Sequence, residues 1–285
     1  MTKDLSERRV VLVTGASSGI GLATAIATAS AGWDTVATMR NPARAQALLE
    51  AAHAAGVSIE VRRLDVTDPA LVQDCLDDVV AAHGSLDVLV NNAGAAHVGT
   101  IETDDMDEFR QCVEVNFFGV VQVTRAAMPH LRASRGRVIT VSSVGGVVGQ
   151  PFNEAYCAAK FAVEGFMEAL APVSAAVGVD VCVIEPGAVT SSFIANAGLD
   201  PVAMLQAAGP YAGLLDSYIQ RTTAQFSGSA QPADEVAQVI AEAMSATPLP
   251  FRLQTSAAAT AFVSPKLADL DGSAVQSLTR PWVAP

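Results

Sequence analysis

The chain has 285 residues, of which 51% are hydrophobic and 16% charged, and its net charge is -12. An acidic chain suits neither nucleic acid nor an anionic membrane surface, because both require clustered Lys and Arg. The four cysteines lie too far apart for a zinc site and are expected to be free thiols: Cys75, Cys112, Cys157 and Cys182. The first residues do not resemble a signal peptide, and no apolar run reaches the ~18 residues of a membrane span. We therefore expect a cytoplasmic protein with a small-molecule ligand and no metal.

Short apolar, β-branched segments alternate with segments of helical periodicity up to Glu185. The predicted strands cover residues 10–13, 34–38, 59–64, 86–90, 137–141 and 180–184, and the clearest predicted helices cover 20–31, 43–54 and 71–83. This alternation predicts an α/β fold, a doubly wound parallel sheet of the Rossmann type with helices on both faces. In such a sheet the strand order reverses and leaves a ligand crevice at the carboxyl ends of the strands.

The pattern weakens after Glu185. Weak periodicity with glycines and prolines predicts a substrate lid over about residues 188–231. The aromatic residues of this segment are Phe193, Tyr211, Tyr218 and Phe226. Pro232 and Asp234 then begin a predicted helix that runs to about residue 244. Because no linker or internal repeat divides the chain, residues 1–285 are predicted to form a single domain.

A glycine-rich loop follows the first predicted strand. Glycines at such a turn let a pyrophosphate approach backbone N–H groups at the positive end of the next helix. The pattern alone also occurs in ordinary turns, but its place between a strand and a helix favours a dinucleotide site. The predicted contacts are Gly15, Ser17, Ser18, Gly19, Ile20 and Gly21.

The end of the second strand indicates which dinucleotide is bound. An Asp or Glu there would bind the ribose 2′-hydroxyl and repel a 2′-phosphate, whereas this chain has Met39 followed by Arg40. A guanidinium binds phosphate through two parallel hydrogen bonds. Arg40 is alternatively a solvated loop residue, but the missing acid favours NADP, as NADPH, over NAD.

Two later strand ends complete the predicted crevice. Asp65 and Val66 follow the third strand, where the Asp65 carboxylate suits an adenine amino group or, alternatively, the N-cap of the next helix. Thr67 or Asp68 is better placed for that cap. The fourth strand ends in small residues that permit close approach to a ribose, and the predicted contacts are Asn92, Ala93 and Gly94.

A candidate acid–base pair follows the fifth strand, which ends near Ser143. Tyr156 and Lys160 have the i, i+4 spacing that places two side chains on one helix face. Reduction of a carbonyl needs hydride and a proton, and an ammonium in a partly desolvated site can lower the phenol pKa of about 10 by roughly 3 units. Ser143 would hydrogen-bond the substrate oxygen as charge develops there. Asn116 is either a satisfied core amide or part of a proton relay.

Together these segments resemble the short-chain dehydrogenases/reductases over about residues 9–193. The motifs that carry the resemblance are Thr14-Gly15-x-x-x-Gly19-x-Gly21, Asn91-Asn92-Ala93-Gly94, Asn116, Ser143, Tyr156-x-x-x-Lys160 and Pro186-Gly187. The resemblance implies the sheet order 3-2-1-4-5-6-7, with Tyr156 as acid or base, Lys160 as its partner and ribose ligand, and Asn116 in a water relay. It also places Ser143 at the carbonyl oxygen and Pro186, Gly187 and Val189 at the cofactor. A homodimer or homotetramer through the helices at 105–132 and 154–176 is a further implication.

Residues 143–157 are similar to the corresponding segment in the branch that holds the type 1 17β-hydroxysteroid dehydrogenases and the photoreceptor-type retinol dehydrogenases. Residues 251–255 show the same likeness more weakly. That branch acts on lipophilic alcohols and ketones, which implies a steroid-, retinoid- or polyketide-like substrate. The candidate substrate contacts are His97, Ser143, Gln150, Phe152, Asn153, Tyr156 and Phe193. His97 is alternatively a solvated loop residue.

The predicted function is therefore an NADP(H)-dependent oxidoreductase that interconverts a hydrophobic ketone or aldehyde and its alcohol. An NAD-dependent alcohol dehydrogenase is the nearest alternative. A non-catalytic dinucleotide-binding sensor is the alternative from another class, because a fold alone does not specify activity.

Overall fold

Nine strands lie in the computed structural model, which describes residues 9–190 and 200–268. They are β1 (Val10–Val13), β2 (Asp34–Met39), β3 (Glu60–Arg63), β4 (Val88–Asn91), β5 (Arg137–Val141), β6 (Asp180–Glu185), β7 (Val189–Thr190), β8 (Gln231–Pro232) and β9 (Arg252–Gln254). Seven of them form a parallel sheet in the order β3-β2-β1-β4-β5-β6-β9, and β7 pairs with β8 separately. The predicted order is confirmed, with β9 in the seventh position.

Helices cover both faces of this sheet. They are α1 (Gly19–Ser30), α2 (Gln46–Ala55), α3 (Pro69–His83), α4 (Met106–Val113), α5 (Gly119–Ser134), α6 (Glu154–Ala175), α7 (Pro201–Ala207), α8 (Ala212–Ser229), α9 (Ala233–Ala243) and α10 (Ala257–Ala268). One apolar layer joins the sheet to α3, α5 and α6, and the other joins it to α1, α2 and α9. None of the helices within the two described ranges is long and apolar enough to cross a membrane.

Local capping explains where the helix starts differ from the predicted ones. Residues Pro42–Arg44 form a short 3-10 turn that Asn41 caps, so α2 begins at Gln46 rather than at residue 43. Asp68 caps α3 by accepting hydrogen bonds from the N–H groups of Ala70 and Leu71. The alternative in which Asp65 is that cap is therefore wrong.

The segment predicted as a weakly periodic lid is largely helical over its described part. Helices α7 and α8 follow one another there, and Asp200 caps α7 by accepting from the Val202 N–H. Their apolar side chains pack on a small cluster built around Phe152 and Tyr218. Glycines and polar residues interrupt the 3.6-residue repeat of apolar side chains in this segment, so periodicity does not reveal these helices. Phe193 and the side chain of Phe226 lie outside the described residues.

Candidate active site

The glycine loop forms a narrow cradle at the carboxyl end of β1. Gly15 has a φ of +68° and Gly19 a φ of +56°, values that favour glycine. A Cβ on Gly21 would lie 2.3 Å from Nδ2 of Asn92 and 2.4 Å from the Gly15 carbonyl oxygen. Helix α1 begins at Gly19 with no acidic residue in its first turn. Its positive end can therefore receive a pyrophosphate, as the predicted contacts of this loop require.

Thr14 and Asn92 fasten this loop to the end of β4. The Thr14 hydroxyl oxygen accepts the N–H groups of Asn92 and Ala93 at 2.9 and 3.0 Å. The Asn92 side chain donates to the carbonyl oxygens of Thr14 and Gly15. The sequence reasoning missed Thr14 as a site residue, although its position before the first glycine was a usable signal. The two strand ends are thereby held as one rigid wall of the crevice.

Arg40 lies exposed directly after β2, while Met39 is buried. Within residues 9–190 and 200–268 no ion pair engages Arg40, so its guanidinium is available for an anion. Two more exposed arginines are close in the chain and the sheet: Arg44 in the following turn, and Arg63, which faces Met39 across the β2–β3 pair. The sequence reasoning missed both. Arginines in three neighbouring segments of an acidic chain form a local positive patch.

One carboxylate oxygen of Asp65 is already hydrogen-bonded within the turn that follows β3. Its Oδ1 accepts from the Thr67 N–H at 3.0 Å and from the Thr67 hydroxyl at 2.8 Å. Its contact with an adenine amino group stays a prediction for the other oxygen. Val66 is buried against Gly119 at the start of α5, where a Cβ would approach the Val66 side chain to 2.6 Å. Val66 therefore contributes packing, and its contact with the nucleotide stays a prediction.

Asn116 lies in a π-helical turn, Glu114–Phe118, between α4 and α5. Its side chain is fully buried, accepts from the Ala95 N–H at 3.2 Å, and donates to the carbonyl oxygens of Ala95 and Cys112 at 2.9 Å. These bonds are those of a satisfied core amide, and they hold the loop after β4 in place. A Cβ on Gly94 would approach both Asn116 Oδ1 and Lys160 Nζ, at 2.9 and 3.9 Å. Asn116 is thus beside the acid–base pair, and its role in a relay stays a prediction.

Ser143 and Tyr156 meet across Gly145. The Ser143 hydroxyl oxygen accepts the Gly145 N–H at 3.0 Å and also shares a hydrogen bond with Tyr156. A Cβ on Gly145 would lie 3.4 Å from both Ser143 Oγ and a ring carbon of Tyr156. Because the Ser143 oxygen already accepts one N–H and a hydroxyl can rotate, the Ser143 proton can be donated either to the Tyr156 oxygen or to a substrate oxygen. The pair can therefore present two hydrogen-bond donors to a single oxygen.

Lys160 lies beneath this pair. Its side chain is 4% exposed, its Nζ donates to the Val141 carbonyl oxygen at 3.0 Å, and the same atom lies 5.7 Å from the centroid of the Tyr156 ring. Burial lowers the pKa of Lys160 to about 8, and it raises the pKa of Tyr156 above its usual value despite the bond with Ser143. Desolvation therefore sets the direction of the Tyr156 shift, and acidification of the phenol by the ammonium stays a prediction.

An apolar wall with two polar groups joins the segment just before Tyr156 to α8. Phe152 stacks on Tyr218 with ring centroids 5.4 Å apart, and Asn153 Nδ2 donates to the Tyr218 hydroxyl at 2.6 Å. Phe152 adopts a φ of +61°, which is strained for a residue with a side chain. Gln150 lies near Gly145, with its Nε2 3.3 Å from the position of a Cβ there. The structure brings these three predicted substrate residues together, and contact with a substrate stays a prediction.

His97 is not the solvated residue of the alternative interpretation, since its side chain is only 11% exposed. Its Nε2 lies 3.7 Å from Asp104 Oδ2, and its ring packs edge-on against Phe109. Pro186, in the loop after β6, accepts the Val144 N–H at 2.9 Å. Gly187 follows it, and Val189 belongs to β7. This loop therefore borders the crevice beside Ser143.

A family model described as short chain dehydrogenase matches residues 9–201. The chain belongs to the short-chain dehydrogenases. Retinol dehydrogenase 8 from Bos taurus is 35% identical over 93% of this chain and 87% of its own length. 17-beta-hydroxysteroid dehydrogenase type 1 from Homo sapiens is 35% identical over 93% of this chain and 83% of its own length. The resemblance inferred from the motifs, including the steroid and retinol branch, is confirmed.

Solved dehydrogenases share the fold, two of them described as short-chain dehydrogenases. One from Streptomyces avermitilis superposes with a TM-score of 0.76 at 30% identity, covering 96% of this chain and 98% of that one. One from Burkholderia phymatum in complex with NAD gives 0.80 at 23% identity, covering 94% and 95%. An alcohol dehydrogenase from Thermococcus sibiricus complexed with 5-hydroxy-NADP gives 0.69 at 24% identity, covering 87% and 96%. The chain is an NAD(P)-dependent oxidoreductase, and a glycine turn with positive φ at Gly15 and Gly19, leading into the N-terminus of α1, fits the pyrophosphate of such a dinucleotide.

Proposed function

We propose that this short-chain dehydrogenase reduces a hydrophobic ketone or aldehyde with NADPH and, in reverse, oxidises the alcohol. The observation that carries the proposal is the meeting of Ser143, Tyr156 and Lys160 in the crevice that the glycine loop borders. A non-catalytic sensor of dinucleotides has no chemical need of a phenol beside a buried ammonium.

The chain's own residues divide the chemistry among them. A bound nicotinamide dinucleotide supplies the hydride, or accepts it in the reverse direction. Tyr156 donates its proton to the carbonyl oxygen, and Ser143 hydrogen-bonds the same oxygen as negative charge develops. Lys160 stabilises the phenolate that Tyr156 leaves behind. Asn116 holds the loop after β4 beside Lys160, and its part in a water relay is the least supported of these roles, since its amide is bonded to Ala95 and Cys112.

The preference for NADPH rests on the charges after β2. No carboxylate follows Met39, and Arg40 has no ion pair within the described ranges. Arg40, with Arg44 and Arg63 nearby, would bind a 2′-phosphate, while an acidic residue that would select NAD is missing from this position. The substrate class rests on the apolar wall around Phe152 and Tyr218. The names of the relatives, retinol dehydrogenase and 17-beta-hydroxysteroid dehydrogenase, point to the same class.

The test is consumption of NADPH and NADH, followed in parallel by absorbance, with a steroid ketone, all-trans-retinal, an aryl ketone and a β-keto ester. The chain has three tyrosines, which supplies matched controls. Tyr156→Phe should abolish turnover, whereas Tyr211→Phe, which removes an exposed hydroxyl bonded to Glu102, should retain it. Faster reduction with NADH would favour the NAD-linked alternative. Tight binding of a dinucleotide with no turnover of any substrate would favour the sensor.

We also expect a homodimer or homotetramer in the cytoplasm. Phe118, just before α5, and Phe161, on α6, are 47% and 39% exposed and lie in the helical segments where the family resemblance implies association. Phenylalanine is enriched at protein interfaces, so these two exposed side chains suit such an association. Sedimentation velocity would measure the assembly state, and a monomer at micromolar concentration would contradict this expectation.

A further inference from the structure

A buried ion cluster lies one helical turn beyond Lys160. Glu164 follows Lys160 by four residues on α6, and Nε of Arg252 on β9 donates to Glu164 Oε2 at 3.0 Å. The same Nε lies 3.4 Å from Oε1 of Glu185, the last residue of β6. Arg252 also contacts Glu168, one further turn along α6. One guanidinium therefore links three carboxylates on α6 and β6.

The carboxylates differ in burial. The side chain of Glu164 is 8% exposed and that of Glu185 is 1% exposed, whereas that of Glu168 is 63% exposed. Gln254 donates to Glu185 at 2.8 Å, but burial still raises the pKa of Glu185. Two buried acids on one base cost more free energy than apolar residues of the same size would. Packing between β9 and α6 alone does not explain their presence.

Glu164 also faces the loop that carries Ser143. A Cβ on Gly146 would lie 2.6 Å from Ser142 Oγ and 3.1 Å from Glu164 Cγ, so the glycine allows this loop to pass over Glu164. Oε1 of Glu164 is buried and accepts no hydrogen bond from any residue in the described ranges. Its negative charge is therefore only partly neutralised by Arg252.

The Glu164 carboxylate lies on the same face of α6 as the Lys160 ammonium, one helical turn further along the chain. The other groups facing Lys160 are the Tyr156 ring on α6, the Cys112 thiol on α4, the amide of Asn116 and the Val141 carbonyl on β5. Burial raises the pKa of Cys112 to about 11, so this thiol is neutral. Among these described neighbours Glu164 supplies the negative charge.

We propose that Glu164 is a positioning residue that keeps Lys160 in its ammonium form, and that Arg252 and Glu185 fix Glu164 in the place where it does so. The inference rests on the proposed function of Tyr156 and Lys160. Burial pulls the pKa of Lys160 down to about 8, and the Glu164 carboxylate opposes that fall. Without Glu164 the ammonium would be lost near neutral pH, and Tyr156 would lose the charge that stabilises its phenolate.

The test measures the Lys160 ionisation directly in the full-length protein. The chain contains three lysines, so a protein labelled with 13C at the lysine side chains gives few NMR signals, and Lys160→Arg identifies the one of interest. Glu164→Gln keeps the size of the side chain and removes the charge. Its Lys160 pKa should fall by about one unit, the lower end of the shift that a neighbouring opposite charge produces, because Glu164 raises the Lys160 pKa without forming an ion pair with it in the described ranges.

Glu168→Gln is the matched control, because Glu168 contacts the same Arg252 from solvent, and it should leave the Lys160 pKa unchanged. Glu164→Asp keeps the charge and should restore most of the wild-type value. If Glu164→Gln does not fold, as shown by the lack of a cooperative melting transition, the Lys160 pKa is measured in Glu164→Asp instead. A fall of a full unit in the Lys160 pKa of Glu164→Asp would refute the proposal. An unchanged pKa in Glu164→Gln, or an equal fall in Glu168→Gln, overturns the proposal.

A second readout follows ketone reduction across pH. The competent state has a protonated Tyr156 and a charged Lys160, so the rate is lost as pH rises through the lower of the two pKa values. In Glu164→Gln this loss should move to lower pH by the same amount as the NMR titration. If the wild-type protein turned over no substrate, the proposed function would fail, while the NMR titration would still decide the role of Glu164.

Discussion

Replacing Gly21 by Ala sets two effects of opposite sign against each other. In a helix, Ala is favoured over Gly by about 1 kcal/mol. The new Cβ would lie 2.3 Å from Asn92 Nδ2 and 2.4 Å from the Gly15 carbonyl oxygen, well inside van der Waals contact. Overpacking of this kind costs about 1–3 kcal/mol. Displacing the Asn92 amide would also break its bonds to Thr14 and Gly15, at about 1 kcal/mol each.

The expected result is a loss of about 2–4 kcal/mol in the free energy of unfolding, together with weakened binding of the dinucleotide. Gly165 is the matched control, because it lies exposed within α6 with no atom within 4 Å of a Cβ. Gly165→Ala should raise the free energy of unfolding by about 0.5–1 kcal/mol. Urea denaturation of both variants measures the difference. If Gly21→Ala is as stable as wild type and binds cofactor normally, the close packing of Gly21 against Asn92 and Gly15 in the glycine loop is wrong.

Four further changes test the site. Tyr156→Phe should lower kcat by a factor of about 10²–10⁴ with little change in the Kd of the cofactor. Retained turnover would show that Tyr156 is not the proton donor. Arg40→Ala should weaken NADPH by about tenfold and NADH by less than twofold in fluorescence titrations, whereas equal losses would remove it from the 2′-phosphate. Tyr218→Phe breaks the bond to Asn153 and should raise KM for apolar substrates severalfold while sparing cofactor affinity.

Lys160→Met, the fourth change, should abolish turnover and stabilise the fold at pH 7 by about 2 kcal/mol, because a buried cation is removed at the cost of one bond to Val141. The folded pKa of Lys160, about 8, is below its usual 10.5, so the penalty is complete below pH 8 and disappears above 10.5. Urea curves across this range should show the advantage vanishing, and an advantage independent of pH would contradict the assignment.

The buried strands and the glycine loop were predictable because each leaves a local signal. Continuous apolar runs such as Val10–Val13 mark strands covered on both faces, and the loop after β1 has the residue types that a tight approach to phosphate needs. The spacing of Tyr156 and Lys160 was equally local. The sheet order came from the family resemblance alone, because periodicity does not say which strands pair.

What could not be predicted depends on contacts between distant segments. Strand β9 is only three residues long, and its Arg252 and Gln254 are polar because they face acids on α6 and β6. Glu164 and Arg252 are separated by 88 residues, so no local pattern shows that they meet. The π-helical turn at Asn116 has no sequence signal that distinguishes it from an ordinary helix. Such features appear only when the tertiary packing is known.

Burial acts differently on Tyr156 and Lys160. It lowers the pKa of Lys160 and so opposes the ammonium form, whereas it raises the pKa of Tyr156, which favours the protonated phenol needed for reduction and opposes the phenolate formed afterwards. Fixed polar groups bind both side chains: Ser143 hydrogen-bonds the Tyr156 phenol, and the Val141 carbonyl accepts a hydrogen bond from the Lys160 ammonium. Glu164 adds a negative charge one helical turn after Lys160, whereas Tyr156 lies one turn before it on the same face of α6. Each of these groups costs stability when it is buried, so substitutions that relax the site should stabilise the protein and slow the reaction. In the proposed mechanism, the Tyr156–Lys160 pair and the ion cluster beyond it form one functional unit, in which Arg252 acts through Glu164 and touches no reacting atom.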